Sequence, residues 1–274
     1  MGSYDNVRIF RDTQKMYQTN ERLKAAVEHS LAEQRLILEG DTYQTHSGER
    51  NISTPTKVLV TKKRSFEAAE ELFKKGYKVC VHNFASAGNP GGGVIRGASA
   101  QEECLCRCST LYPCLDTDVM WNGFYRPHRK THNYLHNDDC IYTPDVIVFK
   151  TDTSAPELMD EKDWYTVDVV TCAAPNLREY GHIDRGTLQK LHEKRLRRIL
   201  DIARENREEA VVLGAFGCGA FSNPPEVVAA TARTVIKEYR QCFDAIEFAV
   251  LCRGYNTLNY DAFARALSMF AYSR

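Results

Sequence analysis

The sequence predicts an α/β layered fold, and three observations carry the prediction. Apolar segments of strand length alternate along the chain with amphipathic segments of helix length. Two of the apolar segments, residues 79–85 and 209–216, each run into a glycine-rich loop and then into a helical stretch. No long Pro/Ser/Gly linker and no internal repeat divides the 274 residues, so a single globular unit with an N-terminal elaboration is expected.

Residues 12–38 read as one or two helices, because Leu23, Val27, Leu31 and Leu38 recur at helical spacing among charges. Residues 1–55 are accordingly expected to form a helical extension packed on the core, and residues 56–274 the main domain. There, residues 58–60 read as a strand and 66–75 as a helix with Gly76 as its C-cap. Residues 79–85 are apolar enough for a strand buried on both faces. A helix over 101–111 follows the first glycine loop, then an irregular stretch over 116–142 rich in His, Asn and Tyr. Strands are expected at 146–149 and 167–171, with a basic-faced helix over 188–204. The second glycine loop follows residues 209–216, and Pro224-Pro225 opens a helix through 239, as proline can at a first helical turn. A strand over 246–251 and a helix over 258–269 close the domain.

Lys+Arg and Asp+Glu both total 36, so no global positive field argues for duplex nucleic acid. No segment is long and apolar enough to span a bilayer, and Met1 to Asp5 lack a secretory core. An intracellular monomer with no membrane contact is expected. The ten cysteines form no Cys-x2-Cys pair, and Cys104, Cys106 and Cys108 alternate where i, i+2 side chains of a helix do not face each other. Reduced structural thiols are expected, with no metal and no cofactor.

The glycines point to a ligand. Gly91-Gly92-Gly93 supplies backbone without Cβ that can approach an anion, and Gln101-Glu102-Glu103 follows one short loop later. The spacing is neither that of a P-loop nor that of a dinucleotide fingerprint, since Arg96 stands where the last glycine of the latter would fall. Nucleoside triphosphate hydrolysis and hydride transfer both lose ground. Two such loops far apart in sequence suggest that they meet at the carboxyl ends of neighbouring strands and clasp a diphosphate. Gly91, Gly92, Gly93 and Val94 are the candidate contacts in the first loop, and Gly217, Cys218, Gly219 and Ala220 those in the second.

The run from Asn83 to Gly93, then Ala100-Gln101-Glu102-Glu103 and Ser109-Thr110-Leu111-Tyr112, resembles the catalytic signature of the microbial-type poly(ADP-ribose) glycohydrolases. The run from Leu213 to Pro224 resembles that family's second diphosphate loop, and the similarity covers nearly the whole chain. The resemblance implies a macrodomain-like three-layer α/β/α fold with a mixed central sheet, and ADP-ribose or poly(ADP-ribose) as ligand in a cleft at one end of the strands.

Adjacent glutamates at a helix start diverge by roughly 100°, so Glu102 and Glu103 cannot straddle one glycosidic bond as paired glycosidase carboxylates do. One residue must handle both proton transfers. Glu103 is expected to protonate the departing oxygen and then deprotonate the attacking water, while Glu102 holds the ribose hydroxyls; the resemblance implies the same division. The helix N-terminus favours a carboxylate, whereas Glu102, the ligand phosphates and desolvation favour the protonated acid.

Gln101 is a candidate bridge between loop and helix start, or a cap partner. Asn89 is a candidate for the distal ribose, and Phe221 for covering the ligand or stacking on a base. The aromatic and basic run from Trp121 to His136 invites a polymer-facing or nucleic-acid reading, which Asp138-Asp139 weakens, and contact with nucleic acid stays open. Three functions remain: a poly(ADP-ribose) glycohydrolase, a hydrolase acting on ADP-ribosylated protein, nucleic acid or a small metabolite, and a binding-only reader. Glu102 and Glu103 favour the enzymes, since a reader has no use for an acid/base.

Overall fold

A computed structural model describes residues 2–41, 54–252 and 254–270. Met1 and residues 42–53 of the expected N-terminal extension lie outside the described residues. Two helices open the chain, α1 (Ser3–Thr19) and α2 (Glu21–Glu33), with the Asn20 side chain capping α2 by accepting from the amide of Leu23. Residues expected to continue as helix instead form strand β1 (Arg35–Ile37). It pairs antiparallel with a later strand and so adds an edge to the main sheet.

Strand β2 (Lys57–Thr61) and helix α3 (Ser65–Phe73) lead to β3 (Val79–Phe84), which is buried along nearly its whole length. Beyond the first glycine loop, α4 (Gln101–Cys108) stops short of the expected residue 111. Ser109 bridges to Val148 and the Thr110 amide donates to Ile147 O at 3.0 Å, and the chain restarts as α5 (Leu111–Leu115). The stretch expected to be irregular holds α6 (Asp118–Met120), a π-turn over Trp121–Tyr125 and α7 (Arg126–Thr131). It then becomes β4 (Cys140–Val148), several residues earlier than its periodicity suggests. The register of β4 against its neighbour shifts between Thr143 and Val146, where Asp145 has φ 52°, and such a bulge hides the alternation that marks a strand.

The chain continues through β5 (Tyr165–Cys172), α8 (Leu177–Tyr180), α9 (Arg185–Glu205), β6 (Ala210–Leu213), α10 (Pro225–Ile236), β7 (Ala245–Ala249) and α11 (Leu258–Leu267). The seven strands lie in the order β1-β4-β5-β3-β6-β7-β2. From β5 to β2 all neighbours are parallel, whereas β4 pairs antiparallel with both β5 and β1, so the sheet is mixed. One core cluster joins the sheet to α9, α10 and α11 through Ile199, Val228 and Phe263. The other joins it to α3, α4 and α5 through Phe66, Leu105 and Leu111. Helices thus cover both faces, as a largely parallel sheet requires. Helix α1 braces the first loop and α4, with Ser3 Oγ donating to Arg96 O at 2.8 Å and Thr13 Oγ1 to Arg107 O at 2.6 Å.

Candidate active site

The carboxyl ends of β3, β6 and β7 surround one cleft of about 540 Å³, lined by the second glycine loop, by Ala85, Ser86, Ser99 and Ala100 on either side of the first, by the first turn of α4 and by the start of α11. That volume is in the range of ligand pockets, about 300–1,000 Å³. Gln101 fixes where α4 begins. Its side-chain oxygen accepts from the Phe84 amide at 2.9 Å, and its nitrogen donates to His82 O at 2.8 Å and to Ser65 Oγ at 3.0 Å. It bridges the end of β3 to the helix start, which aims the next two side chains at the cleft.

Glu102 and Glu103 are only 3 % and 7 % exposed. Glu102 accepts at both oxygens, from the Ser86 amide at 2.7 Å and from Asn83 Nδ2 at 3.3 Å. Burial, with the adjacent Glu103 charge adding to it, pushes Glu102 up to about 8 against the opposing Ser86 hydrogen bond. Near neutrality it is therefore mostly a carboxylic acid. Its proton needs an acceptor, and Asn83 Oδ1 is buried without a partner among the described residues. Turning the Asn83 amide over gives the proton that oxygen.

Glu103 is held differently. Its Oε1 accepts from the Gly93 amide at 2.9 Å, while its Oε2 is buried with no protein partner among the described residues. Gly92 lies against both carboxyls at φ 59°: a Cβ there would stand 2.5 Å from Glu103 Oε1 and 3.1 Å from Glu102 Oε2. The glycine run therefore packs on the acids, and its amides turn inward: Gly92 donates to Asn89 O at 3.0 Å, Gly93 to Glu103, and Val94 to Gly91 O at 3.1 Å. This differs from the expectation that these amides face a phosphate, because the Gly93 amide is taken by the buried Glu103 carboxyl and those of Gly92 and Val94 close turns within the loop.

The second loop has the opposite character. The amides of Gly217, Gly219, Ala220 and Phe221 donate to no protein acceptor among the described residues, and all four residues line the cleft. A Cβ on Gly219 would meet nothing within 4 Å. This loop is an open row of donors suited to an anion.

The family model "Microbial-type PARG, catalytic domain" matches residues 5–151, more than half of the chain. The chain belongs to this family. Among solved structures it is similar to the poly(ADP-ribose) glycohydrolase of Thermomonospora curvata, with 30% identity and a TM-score of 0.83 over 96% of this chain and 99% of that one. The same enzyme bound to the inhibitor ADP-HPD matches with 30% identity and a TM-score of 0.81, over 96% and 99% of the two chains. The Deinococcus radiodurans enzyme in complex with ADP-ribose matches with 32% identity and a TM-score of 0.76, over 89% and 97%. No curated protein matches the chain.

Of the site residues expected from sequence, this glycohydrolase-family chain gathers Gln101, Glu102, Glu103, Gly217, Gly219, Ala220 and Phe221 around the cleft. Asn89, Gly91, Gly92, Gly93, Val94 and Cys218 do not line it. Asn89 faces Arg129, whose guanidinium bonds Asn89 Oδ1 and donates to Gly88 O at 2.6 Å. Val94 is fully buried, and the Cys218 thiol turns to Phe216 O, with burial raising it. Phe221 lies on the cleft wall with its ring 6.3 Å from that of His136.

Sequence reasoning missed the side chains that hold the second loop. Asn223 Nδ2 donates to Pro175 O at 2.7 Å and Gly217 O at 3.0 Å, and its Oδ1 accepts from His192 Nε2 at 2.9 Å. Burial drives His192 down to about 4, so it is a neutral donor. Its signal was a histidine between Leu188 and Arg195 on the buried stripe of α9. Asn83, a polar residue inside an otherwise apolar strand, carried a similar signal. His128 bonds Phe124 O and Asn137, and among the described residues no group of three or more His, Cys, Asp or Glu is arranged to hold a metal ion.

Proposed function

We infer that this chain hydrolyses the ribose glycosidic bonds of poly(ADP-ribose) and releases ADP-ribose, with Glu103 as the general acid and base. The observation that carries the reading is the asymmetry of Glu103: Oε1 is fixed by the Gly93 amide, and Oε2 is buried, without a partner among the described residues, on a side chain at the wall of a ligand-sized cleft. Such an oxygen is costly unless a ligand uses it. Family membership supports the same activity.

With the diphosphate on the free amides of Gly217, Gly219, Ala220 and Phe221, the distal ribose is brought to α4. Glu103 Oε2, which the bound phosphate charges favour in its protonated form, gives its proton to the departing oxygen as the C1–O bond breaks and an oxocarbenium-like ribose forms. Water then adds to C1 and returns a proton to Oε2. Glu102, neutral and held by Ser86 and Asn83, orients the ribose hydroxyls. We place the enzyme inside the cell, where its ten free thiols stay reduced.

Incubation with labelled poly(ADP-ribose), mono-ADP-ribosylated protein and ADP-ribosylated DNA, each beside Glu103→Gln, tests the leaving group. Release of ADP-ribose from the polymer by the unmodified protein alone is the expected result. Turnover of only the mono-ADP-ribosylated substrates would move the activity to another leaving group, and binding without turnover would make the chain a reader.

A further inference from the structure

We propose that the basic and aromatic rim formed by α7, the turn after it and α8 holds the part of poly(ADP-ribose) beyond the scissile bond, namely its next diphosphate and adenine. The inference rests on the activity given above and names a second contact surface for that substrate.

The rim is joined to the site by a short chain of hydrogen bonds. Ser86, whose amide holds Glu102, accepts at Oγ from the amides of Gly88 at 3.3 Å and Asn89 at 3.2 Å. Arg129 of α7 donates to Gly88 O at 2.6 Å and lies over the Trp121 ring at 4.9 Å. From the other side, the Asn176 amide donates to Tyr134 O at 2.7 Å and the Leu177 amide to Phe221 O at 3.0 Å, so the turn and α8 are tied to the second loop. The three segments thus lie outside the cleft lining but are tied to the two loops that flank it, α7 through Gly88 and α8 through Phe221.

Their surface chemistry matches a polyanion with flat bases. Residues 119–137 contain no Asp or Glu and bring Arg126, Arg129 and Lys130 to the exposed face. Lys130 and Arg178 are exposed and make no ion pair or side-chain hydrogen bond among the described residues, although Glu179 adjoins Arg178. Tyr134 and Tyr180 are 41% and 45% exposed. None of these side chains lines the cleft. Once that unit fills the cleft, the departing chain begins at the oxygen it shares with the distal ribose and must run out over the protein surface. Each further unit brings two phosphate charges and a base able to stack on an aromatic ring. A polymer is favoured over duplex nucleic acid because the rim is tied to the loops on both sides of the cleft, and because the whole chain is neutral, with 36 cationic and 36 acidic residues.

The test is the double variant Lys130→Glu/Arg178→Glu in the full chain, with kcat/KM measured on long poly(ADP-ribose) and ADP-ribose affinity measured by calorimetry. Loss of two phosphate contacts should lower kcat/KM about tenfold at low salt and reduce its log–log salt slope by about 1 to 2. ADP-ribose affinity should stay within about twofold, because the free unit reaches only the cleft. Unchanged kcat/KM on the polymer would overturn the proposal, as would a parallel loss of ADP-ribose affinity. A loss confined to ADP-ribosylated duplex DNA would overturn it in favour of a nucleic-acid partner. Should the unmodified protein leave the polymer intact, the activity itself fails; equal activity of both proteins sinks the rim alone.

Discussion

The backbone amide of Gly93 donates to Oε1 of Glu103 at 2.9 Å, so the glycine run orients the acid that follows it ten residues later. The same run explains why Gly92 has no side chain. A Cβ there would stand 2.5 Å from Glu103 Oε1, at a φ of 59° that a β-branched residue adopts only under strain. Gly92→Val should therefore displace Glu103 and cost about 1–3 kcal/mol of stability. Its kcat should fall far more than its ADP-ribose affinity. An affinity loss with kcat intact would show that Gly92 acts on the ligand and not on the acid.

Gly219 should behave in the opposite way. Open space surrounds its Cβ position, so Gly219→Val should fold normally by circular dichroism. The new side chain would cover the free amides and weaken ADP-ribose binding, by about tenfold or more if one charge-assisted hydrogen bond is lost. Wild-type affinity in calorimetry would remove the second loop from phosphate binding.

Asn223 should set the shape of that loop. Asn223→Ala leaves the Pro175 carbonyl without its donor, while Gly217 O keeps the backbone amide of residue 223, and a buried unsatisfied group costs about 1–3 kcal/mol. Lower thermal stability with weaker ADP-ribose binding is expected, and His192→Ala should repeat the effect in milder form. Full affinity in both variants would mean that the loop is shaped without them.

Glu102 gives the molecule a pH dependence. Its folded-state value of about 8 is above the ordinary carboxylate range, so the folded chain keeps a proton that the unfolded chain releases. Stability should then decline as pH rises through the window between the ordinary value and about 8, and level off above it. Glu102→Gln, which copies the neutral acid, should flatten this decline, by up to a few kcal/mol at about 1.4 kcal/mol per unit. Denaturant unfolding of both proteins from pH 5 to 8 checks this; parallel curves would mean that Glu102 is ionised in the folded state.

The two glycine loops, the paired glutamates and the layered architecture were legible because each rests on local chemistry. Gln101 could be read only as a bridge or a cap partner, and its bonds to the Phe84 amide and His82 O, set by where β3 ends, decide for the bridge. Asn89 could not be placed, since the partner that turns it from the cleft, Arg129, is 40 residues away in sequence. The inward turn of the first loop was hidden for the same reason: which way an amide points depends on where a buried carboxyl lands. Strand β1 was masked by leucine spacing that also suits a helix, and the beginning of β4 by Pro144 and the bulge at Asp145.

The most direct test of the account is the rate of ADP-ribose release from poly(ADP-ribose) by Glu103→Gln, with its ADP-ribose affinity measured on the same preparation. Glutamine keeps an oxygen for the Gly93 amide, so the loop should hold its shape and affinity should stay within a few fold. Release should fall by about 10²–10⁴-fold, the usual loss for a positioned acid/base. Turnover near the unmodified rate would contradict the account and take Glu103 out of the chemistry.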